Sequence, residues 1–212
     1  MKRVFFLILL WFSPSLISAQ ASLDQINETR CKHTLNGMVA FSGWTVANLA
    51  VGTAGVLTTA GELQHFYEMN VYFNVINLGI AIPGLINAIK AKPGGLSFEK
   101  TVKETQKVKT LFLVNGILDF TYITAGFLMR EIGHNNSHNK SIEDRLLGYG
   151  DSFIMQGSFL LLFDFIEFAL HAKNSNRLDE HWQKISLKPY GSSGIGVCLQ
   201  YNLNQTFKKN HW

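Results

Sequence analysis

The sequence predicts an all-α fold: a four-helix transmembrane bundle with a short C-terminal β-hairpin. Three observations predict it. Four apolar stretches, at about residues 38–60, 71–89, 110–129 and 153–170, each come close to the ~20 residues needed to cross a hydrocarbon core. Lys and Arg are absent from all four and crowd just outside them. After the turn Gly191-Ser192-Ser193-Gly194, residues Ile195, Val197, Leu199 and Tyr201 alternate with Gly196, Cys198, Gln200 and Asn202, the period of a strand that leaves a turn.

Composition agrees with this class. Hydrophobic residues make up 47% of the 212 and charged residues only 16%, which argues against a disordered tail or a coiled coil. The formal charge of +4 is mild, and no basic stripe with interleaved aromatics appears, so no nucleic-acid partner is expected. Two cysteines are too few for a disulfide scaffold or a Cys-rich zinc module.

Residues 1–21 have the form of a signal peptide. Lys2 and Arg3 precede an apolar run over 4–12, and small residues follow at Ser18, Ala19 and Ala21. The apolar run is too short for a membrane helix and Pro14 interrupts it, so cleavage after Ala19 or Ala21 is expected. The mature chain then divides into the bundle, 22–183, and a hairpin with its tail, 184–212. Four crossings put both mature termini on one side, together with the connection between the second and third helices. That side carries fourteen Lys and Arg, against three on the other. The positive-inside rule would make it cytoplasmic. A cleaved signal makes it external, and the signal is followed here because it commits the first orientation.

Small residues give the helices surfaces for close approach. Gly43, Gly52 and Gly55 lie on the first helix, Gly79 and Gly84 on the second, Gly116 and Gly126 on the third. Between the helices, 90–109 is expected to form a Lys-rich amphipathic helix. Residues 130–151, rich in Asn and His, are expected to form a surface loop.

Polar residues inside the apolar stretches are the most informative feature. Asn70, Asn74 and Asn77 share one face of the second helix by their i, i+4, i+7 spacing. Asn115, Asp119 and Tyr122 do the same on the third. Asp164, Glu167 and His171 share a face of the fourth, with Gln156 near it in angle, and Asn48 stands midway along the first. All four helices thus offer polar groups to one central layer. No Lys or Arg within the helices can pair with Asp119, Asp164 or Glu167, so these carboxyls must be protonated, hydrogen-bonded, hydrated or bound to a cation. Two readings follow. In the first, the layer packs the bundle or binds a small ligand or a partner helix, without enzymatic activity. The alternative is a transport or ion/proton-relay component that uses the three carboxyls.

No metal and no cofactor are expected. Asp164, Glu167 and His171 could supply three ligands from one helix, but a carboxylate-bridged di-iron bundle needs a Glu from each of two helices and Glu-x-x-His from two others, and that pattern is missing. No nucleophile elbow, zinc-protease motif or phosphate loop is present, so no catalytic residues are assigned. Cys31 and Cys198 fall on the same expected side, where export permits a disulfide; two unrelated thiols remain the alternative.

The run Asn36-Gly37-Met38, Gly43-Trp44, Asn48 and Gly52, followed by Met69-Asn70-x-x-x-Asn74-x-x-Asn77 and Ile80-Ala81, resembles a family of uncharacterised four-helix membrane proteins found mainly in Bacteroidota. The resemblance is best over the first two membrane helices and looser beyond. It implies the same Asn-rich face and a bacterial cell membrane as the location, and it implies no activity. Membrane lipid is the expected partner, with another membrane protein or a second copy of the chain as further partners.

Overall fold

The computed structural model describes residues 2–183, 185–189 and 197–201, with side chains described over 22–178. Four helices dominate these residues: α1 (Lys2–Thr58), α2 (Gly61–Lys90), α3 (Phe98–Asn135) and α4 (Lys140–Gln183). Four segments are long and apolar enough to cross a membrane: Ser22–Thr58, Gly61–Lys90, Phe98–Asn135 and Lys140–Leu178. The side chain of Cys198 lies outside the described residues, and with it the choice between a Cys31–Cys198 disulfide and two unrelated thiols.

The helices run well past the apolar stretches because their polar flanks carry helix-forming signals of their own. The expected surface loop over 130–151 is a correction. α3 continues to Asn135 and α4 begins at Lys140, which leaves only a tight turn between them. Asn139 starts α4: its carbonyl Oδ1 accepts from the Ile142 amide at 3.4 Å, one of the donors a helix start leaves unpaired. Lys140 then reaches Glu143 at 3.3 Å and Asp144 at 2.9 Å, one turn ahead. The Lys-rich connection is also helical from Phe98 onward, but it is continuous with α3, capped by Ser97 Oγ on the Lys100 amide.

Glycines make the other two turns. Gly61 opens α2 at φ 62° and Gly95 stands at φ 75° in the Pro93-Gly94-Gly95 turn, a region that side chains with a Cβ enter at a cost. Pro83 lies inside α2.

α4 is the central element and packs on α1, α2 and α3. Its seam with α3 is the closest. A Cβ placed on Gly126 would lie 2.6 Å from the Gly150 carbonyl, and one on Gly157 would lie 2.9 Å from the Asp119 carbonyl. Backbone therefore meets backbone along this seam, as small residues permit. α1 approaches α2 in the same manner through Gly52, beside Val71 and the Tyr67 carbonyl. By contrast, no Cα of α2 comes within 8 Å of one in α3.

Burial is inverted relative to a water-soluble bundle. Among the described residues seventeen polar or charged residues are buried, against ten apolar ones. Ile76, Ile80, Leu111, Ile117, Leu118, Phe120 and Phe165 face outward instead. A water-exposed surface of that kind would be one continuous apolar patch, far beyond what soluble monomers tolerate. The apolar core is small: Phe41, Phe73, Ala81 and Leu160, flanked by aromatic rings from α1 and α4 such as Trp44 and Phe159, stacked 3.6 Å apart.

The α3–α4 seam yields a stability prediction. Gly157→Leu should lower the thermal unfolding midpoint, with a cost of about 1–3 kcal/mol typical of overpacking. Gly43→Ala, where an added Cβ meets nothing within 4 Å, should leave the midpoint unchanged in the same thermal scan.

Candidate functional site

The polar residues of the four helices form a column along the bundle axis. On α4, Ser152, Gln156, Asp164, Glu167, His171 and Asn174 are all buried, at helical spacing on one face. From Tyr149 to Asn174 the column spans about 38 Å at ~1.5 Å per residue, so the residues expected in a single layer are distributed over most of the bundle's length.

Three tiers follow one another. The first is an amide network on α1, α2 and α4 with Gln156 as its hub. Trp44 Nε1 donates to Gln156 Oε1 at 3.1 Å. Gln156 Nε2 donates to Asn48 Oδ1 at 3.3 Å and also to Asn70 Oδ1. Asn74 Nδ2 continues the network to the Asn70 backbone and side-chain oxygens, at 2.8 and 3.0 Å, and Asn77 Nδ2 reaches Asn74 Oδ1 at 3.4 Å. Beyond this tier, toward the α1–α2 turn, Glu68 accepts from Tyr149 Oη at 2.9 Å and from Tyr72 Oη at 3.3 Å, with His65 Nδ1 2.9 Å away.

The second tier is a carboxyl pair beside a cavity. Asp119 of α3 and Asp164 of α4 are both buried and meet side chain to side chain. Asp119 Oδ2 is buried and finds no N–H or O–H donor among the described residues. The adjoining cavity measures about 430 Å³. Asn77, Asn115, Asp119, Tyr122 and Asp164 form its polar wall, and Phe41, Phe73 and Leu160 its apolar back. It lies where the α2 and α3 backbones stand apart, bridged by the Phe73 ring edge-on to Tyr122 at 5.1 Å, so its mouth faces sideways, between Ile76 and Ile80 on one side and Leu111 and Leu118 on the other.

The third tier lies toward the chain termini. Glu167 sits against α1, where a Cβ on Gly37 would stand 2.7 Å from its Oε1. Its Oε2 is 3.7 Å from His171 Nε2. His171 is fully buried, its ring stacked on Phe112 at 5.7 Å and met edge-on by His33 at 5.9 Å. Neither ring nitrogen has a hydrogen-bond partner among the described residues. Asn27 closes this end by donating to Thr101 Oγ1 at 2.8 Å, and Asn174 by donating to the Ile26 carbonyl at 2.9 Å.

Every polar residue singled out in the sequence thus falls on the column, but in different tiers: Asn48, Asn70 and Asn74 in the first, Asn77 bridging it to the second, Asn115, Asp119, Tyr122 and Asp164 around the cavity, Glu167 and His171 in the third. Gln156 proves to be the hub, although only its angle suggested it. Trp44, Asn27, Thr101 and Asn174 were not singled out. Asn27, Thr101 and Asn174 lie beyond the apolar stretches, where a polar residue attracts no notice, and Trp44 is amphipathic, so its indole N–H carries no signal in a hydropathy pattern. Among the described residues no group of three or more His, Cys, Asp or Glu is placed to hold a metal ion.

The Gln156 hub can be measured. Gln156→Leu strips partners from Trp44, Asn48 and Asn70 and should destabilise the bundle by about 1–3 kcal/mol per group left unpaired. A double-mutant cycle of Gln156→Leu with Asn70→Leu, followed by thermal unfolding in detergent, should return a coupling energy of about 0.5–3 kcal/mol.

Comparison with known proteins adds one assignment. No curated protein and no solved structure matches the chain. A family model does match, over residues 40–165, which include the amide network, the carboxyl pair and all of the cavity lining but Met38. On that match the chain belongs to DUF6992, a family of unknown function.

Proposed function

We propose that the protein is an integral membrane protein that binds a small ligand in the lateral cavity between α2 and α3, without catalysing a reaction. One observation carries this reading: a cavity of about 430 Å³ is lined by a buried carboxyl oxygen, Asp119 Oδ2, that has no donor. Its volume falls within the ~300–1,000 Å³ of small-molecule sites, and it pairs apolar walls with a few convergent polar groups, as such sites do. An orphaned acceptor in a dry site costs about 1–3 kcal/mol, which a bound donor relieves. The amide network beside it already serves packing and needs no ligand.

Asn115→Trp tests the reading by filling the cavity from its wall. Organic extracts of the purified wild type should contain a small molecule near one-to-one stoichiometry, read by mass spectrometry, and extracts of the folded variant should lack it. Equal extracts from both would assign the polar wall to packing alone.

Insertion and orientation belong to the same proposal. Lys2 and Arg3, the apolar run over 4–12 and the small residues at Ala19 and Ala21 support an export signal, in a bacterial cell membrane, with lipid as the partner. The mature termini then lie outside the cytoplasm. The hairpin expected on that side has the support of an antiparallel pairing of residues 185–189 with 197–201, Leu187 opposite Leu199. Single cysteines at Lys100 and Ser192 should react with an impermeant maleimide in intact cells, and one at Ser137 should not; the reverse pattern would invert the topology.

A further inference from the structure

The cavity's two ends set limits on its occupant, and the argument rests on the binding reading above. The first limit concerns access. The mouth is bordered by Ile76, Ile80, Leu111 and Leu118, which are 68, 58, 53 and 48% exposed on the outer surface of the bundle. In a membrane those side chains touch acyl chains, so a molecule already dissolved in the bilayer reaches the cavity without crossing water. The α2 and α3 backbones stay apart there, and the ring contact of Phe73 with Tyr122 is where their side chains meet.

The second limit concerns the head group. No Lys, Arg or His lines the cavity. Its two carboxyls, Asp119 and Asp164, are both buried side chains of the wall. Asp119 Oδ2 stays open as an acceptor. Asn77 Nδ2 is engaged by Asn74, and the other polar groups of the wall, Asn115 and Tyr122, carry no charge. The wall therefore holds two carboxyls, one with an unpaired oxygen, and no cation to balance them. A head that donates hydrogen bonds completes it, whereas a sulfate, phosphate or carboxylate head would set like charge against the carboxyl pair in a medium that screens poorly.

We infer that the cavity takes from the bilayer a lipophile whose head donates hydrogen bonds, as a long-chain alcohol or alkylammonium does, and that it rejects anionic heads. The occupant's tail lies along the Phe41–Phe73–Leu160 back wall and its head on Asp119.

Photo-crosslinking of the full chain in vesicles tests this. The probes are hexadecanol, hexadecylamine and hexadecyl sulfate, each with a diazirine in the chain, and adducts are mapped by peptide mass spectrometry. At least one donor probe should label the cavity-lining residues Phe73, Asn77, Asn115 and Tyr122 about tenfold more than the sulfate does, the scale of one charge-assisted hydrogen bond. Asp119→Leu should erase that preference. Leu118→Trp changes only an outward-facing mouth residue, so it serves even if Asp119→Leu fails to fold; it should block cavity labelling while leaving thermal unfolding unchanged. Equal cavity labelling by all three probes, still blocked by Leu118→Trp, would overturn the head-group preference and leave the binding reading standing. Labelling confined to outward residues such as Ile117 and Phe120, and indifferent to Leu118→Trp, would overturn both.

Discussion

A side-chain amide or carboxyl that faces acyl chains has nothing to bond with, and the whole arrangement follows from that constraint. The helices satisfy their own backbones. What remains are the Asn, Gln, Asp, Glu and His side chains, which only one another can serve. Gln156 shows the consequence most directly. Its single amide meets Trp44 and Asn48 of α1 and Asn70 of α2, and so fixes the rotation and height of three helices at once. Apolar burial gives no comparable register: in the membrane proposed above, lipid would solvate the outer Ile, Leu and Phe side chains as well as a neighbouring helix would.

The same constraint separates the structural part of the column from the part that is open to chemistry. In the amide network most groups find partners, and the chain of bonds runs from Trp44 to Asn77. Around Asp119 and His171 the pairing stops. Asp119 Oδ2, Glu167 Oε2 and both His171 nitrogens are buried without donors or acceptors to match. Orphaned groups at this density are costly and rare in folded proteins. Of these only Asp119 lines the cavity where the α2 and α3 backbones stand apart, and that coincidence makes the packing irregularity a candidate site.

Much of this was legible in the sequence. Helical spacing alone placed Asn70, Asn74 and Asn77 on one face and Asp164, Glu167 and His171 on another, because a regular helix converts sequence intervals directly into angle. The apolar stretches marked the lipid-length part of each helix. Neighbourhood was not legible. Each helix is apolar around most of its circumference, so nothing in the pattern says that α4 touches all three others while α2 and α3 stay apart. Height was only partly legible: His171 reads as part of the Asp164 layer, but it sits two turns beyond it, against Phe112 and His33. The helical turn over 130–151 was hidden by composition, since Asn in quantity suggests a loop, whereas Asn139 here begins a helix.

The separation of α2 from α3 has a mechanical consequence. Every hydrogen bond between helices that the described side chains make joins some other pair, as with Asn27 to Thr101 or Arg130 to Asp151. Parting the α2–α3 seam therefore ruptures none of them, while prying open the α3–α4 seam would tear backbone from backbone at Gly126 and Gly157. The α2–α3 edge is therefore held by the Phe73 ring against Tyr122 and by no hydrogen bond among the described side chains, so in the bilayer proposed above a change in lateral pressure or thickness meets its least polar resistance there.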